Sequence, residues 1–270
     1  GAIGGTGGQL TLSGGSLTLS GSNTYTGLTS ITGGTLTLDQ AGTTTGTVIA
    51  DTAAITINGG TLALNDATET VGTVTLTSGS ITVGTTGNTL TGSSYVLNPS
   101  TGTTHSIAAV LAGSGVTLTK SGAGTVTLTG ANTYTGATTI SAGTLALSGS
   151  GAIASSSEVA ANGTFDISGV TTSASIVTLS GSGTVTLGGK LLTITNGSTT
   201  FSGAIGGTGG QLTISGGTET LSASSGYTGA TIISSGANLT LSGSGAIASS
   251  SGVAANGTFD ISGVTTSASI

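Results

Sequence analysis

Cysteine, methionine and tryptophan are absent from this chain of 270 residues, proline occurs once, and arginine is missing, which leaves Lys120 and Lys190 as the basic side chains beside the single histidine, His105. Each gap excludes a class of protein. Without cysteine there is no disulfide framework and no thiolate metal centre. Without a basic patch a phosphate backbone has nothing to bind, so nucleic acid is excluded as a partner. Charged residues amount to 4%, with a formal net charge of −6, against about 25% charged in an ordinary soluble domain. That is not the surface of an ordinary globular enzyme. No apolar run approaches the ~18 residues of a membrane-spanning helix, so direct membrane insertion of this segment is not expected.

What the chain does have is 52 glycines and a 35% hydrophobic fraction in which aromatics contribute only 3%. Mean hydropathy is positive, which excludes a disordered tail, since disorder needs low hydrophobicity with high charge. The apolar material is Leu, Ile, Val and Ala, and long blocks of it recur. Residues 151–176 return at 245–270 with one change, Glu158 to Gly252, and residues 1–12 return at 203–214 with Leu12 replaced by Ile214. Internal repetition on this scale marks a repeat architecture.

A finer rhythm of apolar-polar-apolar triplets runs beneath the blocks: LTL at 10–12, 17–19 and 36–38, ITI at 55–57, VTL at 74–76, 116–118, 126–128 and 185–187, FDI at 165–167 and 259–261. Period two means strand, with aliphatic side chains on one face and Thr on the other. Glycine-rich turns separate the triplets. Strands expected at three to five residues are too short for a sandwich, but a parallel coil suits them: each strand bonds to its equivalent in the next turn, ~4.8 Å away. At roughly 20 to 27 residues per coil, about 10 to 13 turns are expected, and the 94-residue block offset would be about four turns. The fold class is therefore all-β, a parallel β-helix or β-solenoid of short strands, with residues 1–270 read as one continuous solenoid.

Three segments carry a recognisable signature. GVTLTKSGAGTVTLTGANTYTGATTISAGTLAL fills 115–147, a second copy with NTYTG at 23–27 spans 8–38, and a degenerate third with SGYTG at 225–229 spans 210–241. These resemble the passenger-associated transport repeat, or autotransporter-associated β-strand repeat, of secreted Gram-negative autotransporter passengers. The resemblance implies a right-handed parallel β-helix, exported through an outer-membrane β-barrel to the cell surface or beyond. Leader and barrel would lie outside these residues, so the chain is expected to be an excerpt of a longer passenger.

Candidate sites are few. A catalytic triad on His105 lacks a nearby carboxylate and a nucleophile elbow, so His105 is read as a solvated turn residue. Asp51, Asp66 and Glu69 are the carboxylates that could gather on one face for polysaccharide cleavage, although polysaccharide-cleaving β-helices also use basic groups. Asp166 and Asp260 sit mid-triplet and should point outward. GGTGGQL at 4–10 and 206–212 puts glutamine where a calcium-binding repeat needs aspartate. Tyr25, Tyr134 and Tyr227 are expected to pack over a corner of the coil rather than form a sugar-binding row. No catalytic, cofactor or metal residues are assigned. The expected role is a structural or adhesive rod, a stalk or adhesin, with end-to-end self-association and a surface glycan or protein receptor as partners. The alternatives are a stem for an enzymatic domain outside this segment and an ice- or glycan-binding solenoid.

Overall fold

The structure, a computed structural model, describes residues 2–40, 48–65, 68–84 and 88–265. Among them lie twenty-eight strands and no helix, joined in parallel pairings into a β-solenoid of about 12 turns. The coil has three sides. Side one carries 118–120, 138–140 and 159–161, one above the other. Side two carries 125–128, 144–147, 164–166 and 184–186. Side three carries 173–176, 191–194, 211–214, 231–233 and 253–255. Leu118 pairs with Thr138, twenty residues on, and Leu179 lies twenty beyond its partner Val159, so twenty residues complete a turn there.

Strict alternation sorts the side chains. On side one an inward column runs Ile31, Ile57, Leu76, Leu97, Lys120, Ile140 and Ala161, all of them buried. On side two Val126, Leu145, Phe165, Val185 and Ile205 form another. The intervening Thr, Ser and Asp face out. Stacking like on like lets short aliphatic chains fill the narrow interior that the scarcity of aromatics requires.

Two expectations need correction. The first strands are long, ten or eleven residues over Leu10–Leu19, Thr29–Asp39, Ile55–Asn65 and Val74–Val83. Each rounds a corner through a glycine-containing bulge, as at Gly59 and Gly79 with φ of 122° and 101°, so one ladder serves two sides. The second concerns the repeated block. Asp166, on side two, is followed up that side by Thr186, Gly206 and Gly226, and the bridge from Ser224 to Ala246 adds a fourth turn. The chain then crosses side three at 253–255 and places Thr258–Asp260 on side one, over Asn238–Thr240. The offset is four turns and two sides, because 94 is not a multiple of twenty, so identical sequences stand on different faces of the coil.

Candidate functional site

The NTYTG segments build the most elaborate polar structure in the coil. Asn23 and Asn132 are buried at 3% and 4% exposure, and each side chain bridges three turns. Asn132 Oδ1 accepts the Leu111 amide from the turn below at 2.9 Å, while its Nδ2 donates to Gly130 O and to Ala152 O above, both at 2.9 Å. Asn23 repeats the pattern with the Ile3 amide, Gly21 O and Val48 O, each at 2.7 Å. The ladder is irregular at this corner, and an amide side chain, donor and acceptor at once, replaces the missing backbone bonds. In the third copy Ser225 takes the position, accepting the Ile205 amide at 3.4 Å.

Two residues on, the tyrosines lie inside the coil. Tyr25, Tyr134 and Tyr227 are 1%, 1% and 0% exposed, so they pack under the corner rather than over it and offer no ring to a sugar. Each hydroxyl meets the threonine four residues later: Thr29 at 2.8 Å, Thr138 at 2.7 Å and Thr231 at 2.7 Å. Burial raises all three phenol pKa values. The next residue, Thr26, Thr135 or Thr228, accepts through Oγ1 the amide of Gly7, Gly115 or Gly209 at 2.8–3.0 Å. Those glycines hold φ of 74°, 70° and 75°, the left-handed bend of the turn below. The closing Gly27, Gly136 and Gly229 could carry no side chain, since an added Cβ would collide with the carbonyl oxygen of Gly8, Val116 or Gly210. The motif is a clamp that ties each corner to its neighbours.

Three charged side chains are enclosed as well: Glu69, Lys120 and Glu219, each at 0% exposure. Glu69 accepts the amides of Val48 at 2.8 Å and Ile49 at 2.5 Å and the Gln40 side chain at 3.3 Å. Val48 is thereby held between Glu69 above and Asn23 below. Burial pushes Glu69 up to about 7 against the pull of those donors, with Asp51 adding to the rise. Lys120 caps the carbonyls of Gly122 and of Ala142, the latter at 3.0 Å, and burial lowers its pKa to about 8. Both glutamates sit at the centre of a T-E-T triplet, 68–70 and 218–220, where alternation alone points the middle residue inward. That signal is present in the sequence but goes unread there, because charge in a short polar triplet suggests solvent.

Of the three carboxylates that could gather for polysaccharide cleavage, Glu69 points into the core and Asp51 lies in an exposed turn, and Asp66 lies outside the described residues. His105 is not a solvated turn residue. It lies in the strand Thr104–Ile107 directly beneath Val126, in the inward column, and its Nδ1 accepts the Gly79 amide at 3.2 Å. Asp166 and Asp260 face outward as expected, each accepting the amide two residues on at 2.8 Å. Among the described residues no group of three or more His, Cys, Asp or Glu could hold a metal ion. A shallow groove of about 420 Å³ is lined by Val83, Ala108, Val110, Ala131 and neighbouring Gly, Ser and Thr, with no ionisable side chain.

A family model described as passenger-associated-transport-repeat matches residues 13–38, 118–147 and 215–237, each within a stretch expected from the resemblance. No curated protein and no solved structure matches the chain significantly. The three matched segments each contain one corner clamp, and the chain is a β-solenoid in which these three segments are similar to the passenger-associated-transport-repeat.

Proposed function

We propose that this chain is a rod-like part of an autotransporter passenger, displayed at the cell surface or released from it, acting as a stalk or adhesin and catalysing no reaction. The observation that carries this reading is the clamp itself. The residues that identify the repeat are spent on joining turns: Asn, Thr and Gly of NTYTG bond to or pack against backbone about twenty residues away in sequence, and Tyr is buried with its hydroxyl on the threonine four residues on. A motif so committed inward serves rigidity, not recognition. About 12 turns at ~4.8 Å give a rod of about 58 Å, with an outer surface of Thr, Ser, Gly and Asn. Absence of cysteine and scarcity of charge suit passage of an unfolded chain through a narrow pore.

Antibody labelling of intact cells that express the whole gene tests the display. Protected epitopes, reached only after the envelope is opened, would overturn it. Binding of the purified rod to surface glycans and to host-cell proteins then separates adhesin from stalk, since a stalk binds neither.

A further inference from the structure

Glu219 differs from Glu69 in what surrounds its carboxylate. It occupies an inward position beneath Leu239 and above the turn of 197–201, where Gly197 leaves room: an added Cβ there would come within 2.8 Å of Glu219 Cβ. Through that gap the side chain reaches down two turns. Its Oε2 accepts the Thr178 hydroxyl at 3.2 Å. Its Oε1 is buried with no partner. Thr178 accepts the Ser198 amide at 3.0 Å and has one proton to give, for which Thr199 Oγ1 at 2.8 Å competes because its own goes to Leu179 O, so Thr178 is a shared donor. The charged group that acts on Glu219 is another carboxylate, Glu158, which itself binds Ser180. The other side chains packed around it, from Thr178, Ser198, Thr199 and Leu239, are uncharged.

An enclosed carboxylate held by a shared hydroxyl and the Leu179 amide, with an orphan oxygen and a like charge nearby, is more stable neutral than ionised. We propose that Glu219 is a proton-dependent latch: protonated, it ties the turns at 178–180, 197–201 and 218–221 together, and ionised, it leaves the interior and loosens them. Burial, as the largest cause, pushes its pKa up to about 8, with Glu158 adding to the rise and the Thr178 hydroxyl and Leu179 amide opposing it. The sign follows by linkage. A carboxyl raised above its ordinary 4.5 contributes stability that is fully present below that value and is lost as pH rises toward 8. The latch therefore tightens this part of the rod on acidification, the reverse of the usual acid lability. Glu69, held by three donors, is raised less, to about 7.

Amide hydrogen exchange on the full chain, corrected for the intrinsic pH dependence, tests this. Between pH 5 and pH 8 the protection of amides in 178–180 and 197–201 should fall by roughly tenfold or more, since a carboxyl midpoint raised by one pH unit already changes the folding equilibrium about tenfold. Glu219→Gln, neutral at every pH, should keep that protection constant, and Glu158→Gln should move the midpoint to lower pH. Protection that is flat in the natural chain, or that still falls in Glu219→Gln, overturns the proposal. Should Glu219→Gln fail to fold, carbon-13 titration of the Glu219 carboxyl in the natural chain decides: a midpoint near that of an exposed glutamate refutes the latch, and one about two pH units or more above it supports the latch.

Discussion

The hydroxyls of Tyr134 and Thr138 stand 2.7 Å apart inside the coil, and Thr138 Oγ1 lies a further 2.8 Å from Ser156 Oγ in the next turn. The chain of hydroxyls continues to Gly136 O and Glu158 O. Tyr227, Thr231 and Ser250 repeat it in the third copy.

Removing its end and removing its middle should differ. Tyr134→Phe leaves Thr138 and Ser156 paired and should cost about 1 kcal/mol, whereas Thr138→Val strands the tyrosine hydroxyl in the core and should cost about 1–3 kcal/mol. Denaturant melts of the two variants check the ranking, and equal losses would mean that the hydroxyls act independently.

Asn132→Ala should be among the more damaging single changes. It leaves the buried Leu111 amide and one bond to Ala152 O without a partner, and about 2 kcal/mol or more should be lost. Ser225→Ala, at the same motif position with one 3.4 Å bond, should lose about half as much. The comparison of melting midpoints tests whether Asn, rather than the corner as such, is the fastening.

Leu128 is fully buried between Ile107 and Leu147, while its neighbour Thr127 faces outward. Leu128→Ala should cost about 2–5 kcal/mol, and Thr127→Ala far less. Similar losses in the two melts would show that the faces are misassigned.

Trypsin should distinguish the two lysines. Lys120 is sealed in a paired strand with its ammonium on two carbonyls, whereas Lys190 follows a turn and reaches the exposed Thr171 carbonyl at 3.2 Å. Cleavage of the folded chain is expected at Lys190 first. The same burial has a pH signature. With its pKa lowered to about 8, Lys120 makes the folded state bind fewer protons than the unfolded, so its penalty should ease as pH rises from 8 toward 10.5. Lys120→Met should abolish that gain.

Among the described residues the strands Leu10–Leu19 and Thr258–Val264 each pair with a neighbour along one edge alone. Leu10, Leu12 and Leu17 are half-exposed on one and Phe259 on the other, where Ile261 is 43% exposed. End-to-end association into short rods is expected as concentration rises, an open heterologous contact. Sedimentation over a hundredfold range checks it, and a constant monomer coefficient would count against it.

Alternation by itself determined the strand content and the facing of Leu128, Thr127, Asp166 and Asp260, because the direction of a side chain in a strand depends only on its neighbours. The same rule reached Glu69, Glu219 and Lys120, yet charge in those triplets reads as solvated until the partners are known. Those partners are backbone and side-chain groups about twenty to forty residues away, in other turns, and no local pattern locates them. The same is true of Asn132, His105 and the tyrosines, whose burial depends on which turn lies above and below. The length of a turn was likewise undecided by the triplets alone. Only the assembled coil set it near twenty residues, and that length puts Thr164 on one side of the rod and its sequence twin Thr258 on another: three sides with the same inward demand accept the same sequence, and the count of residues between copies chooses among them.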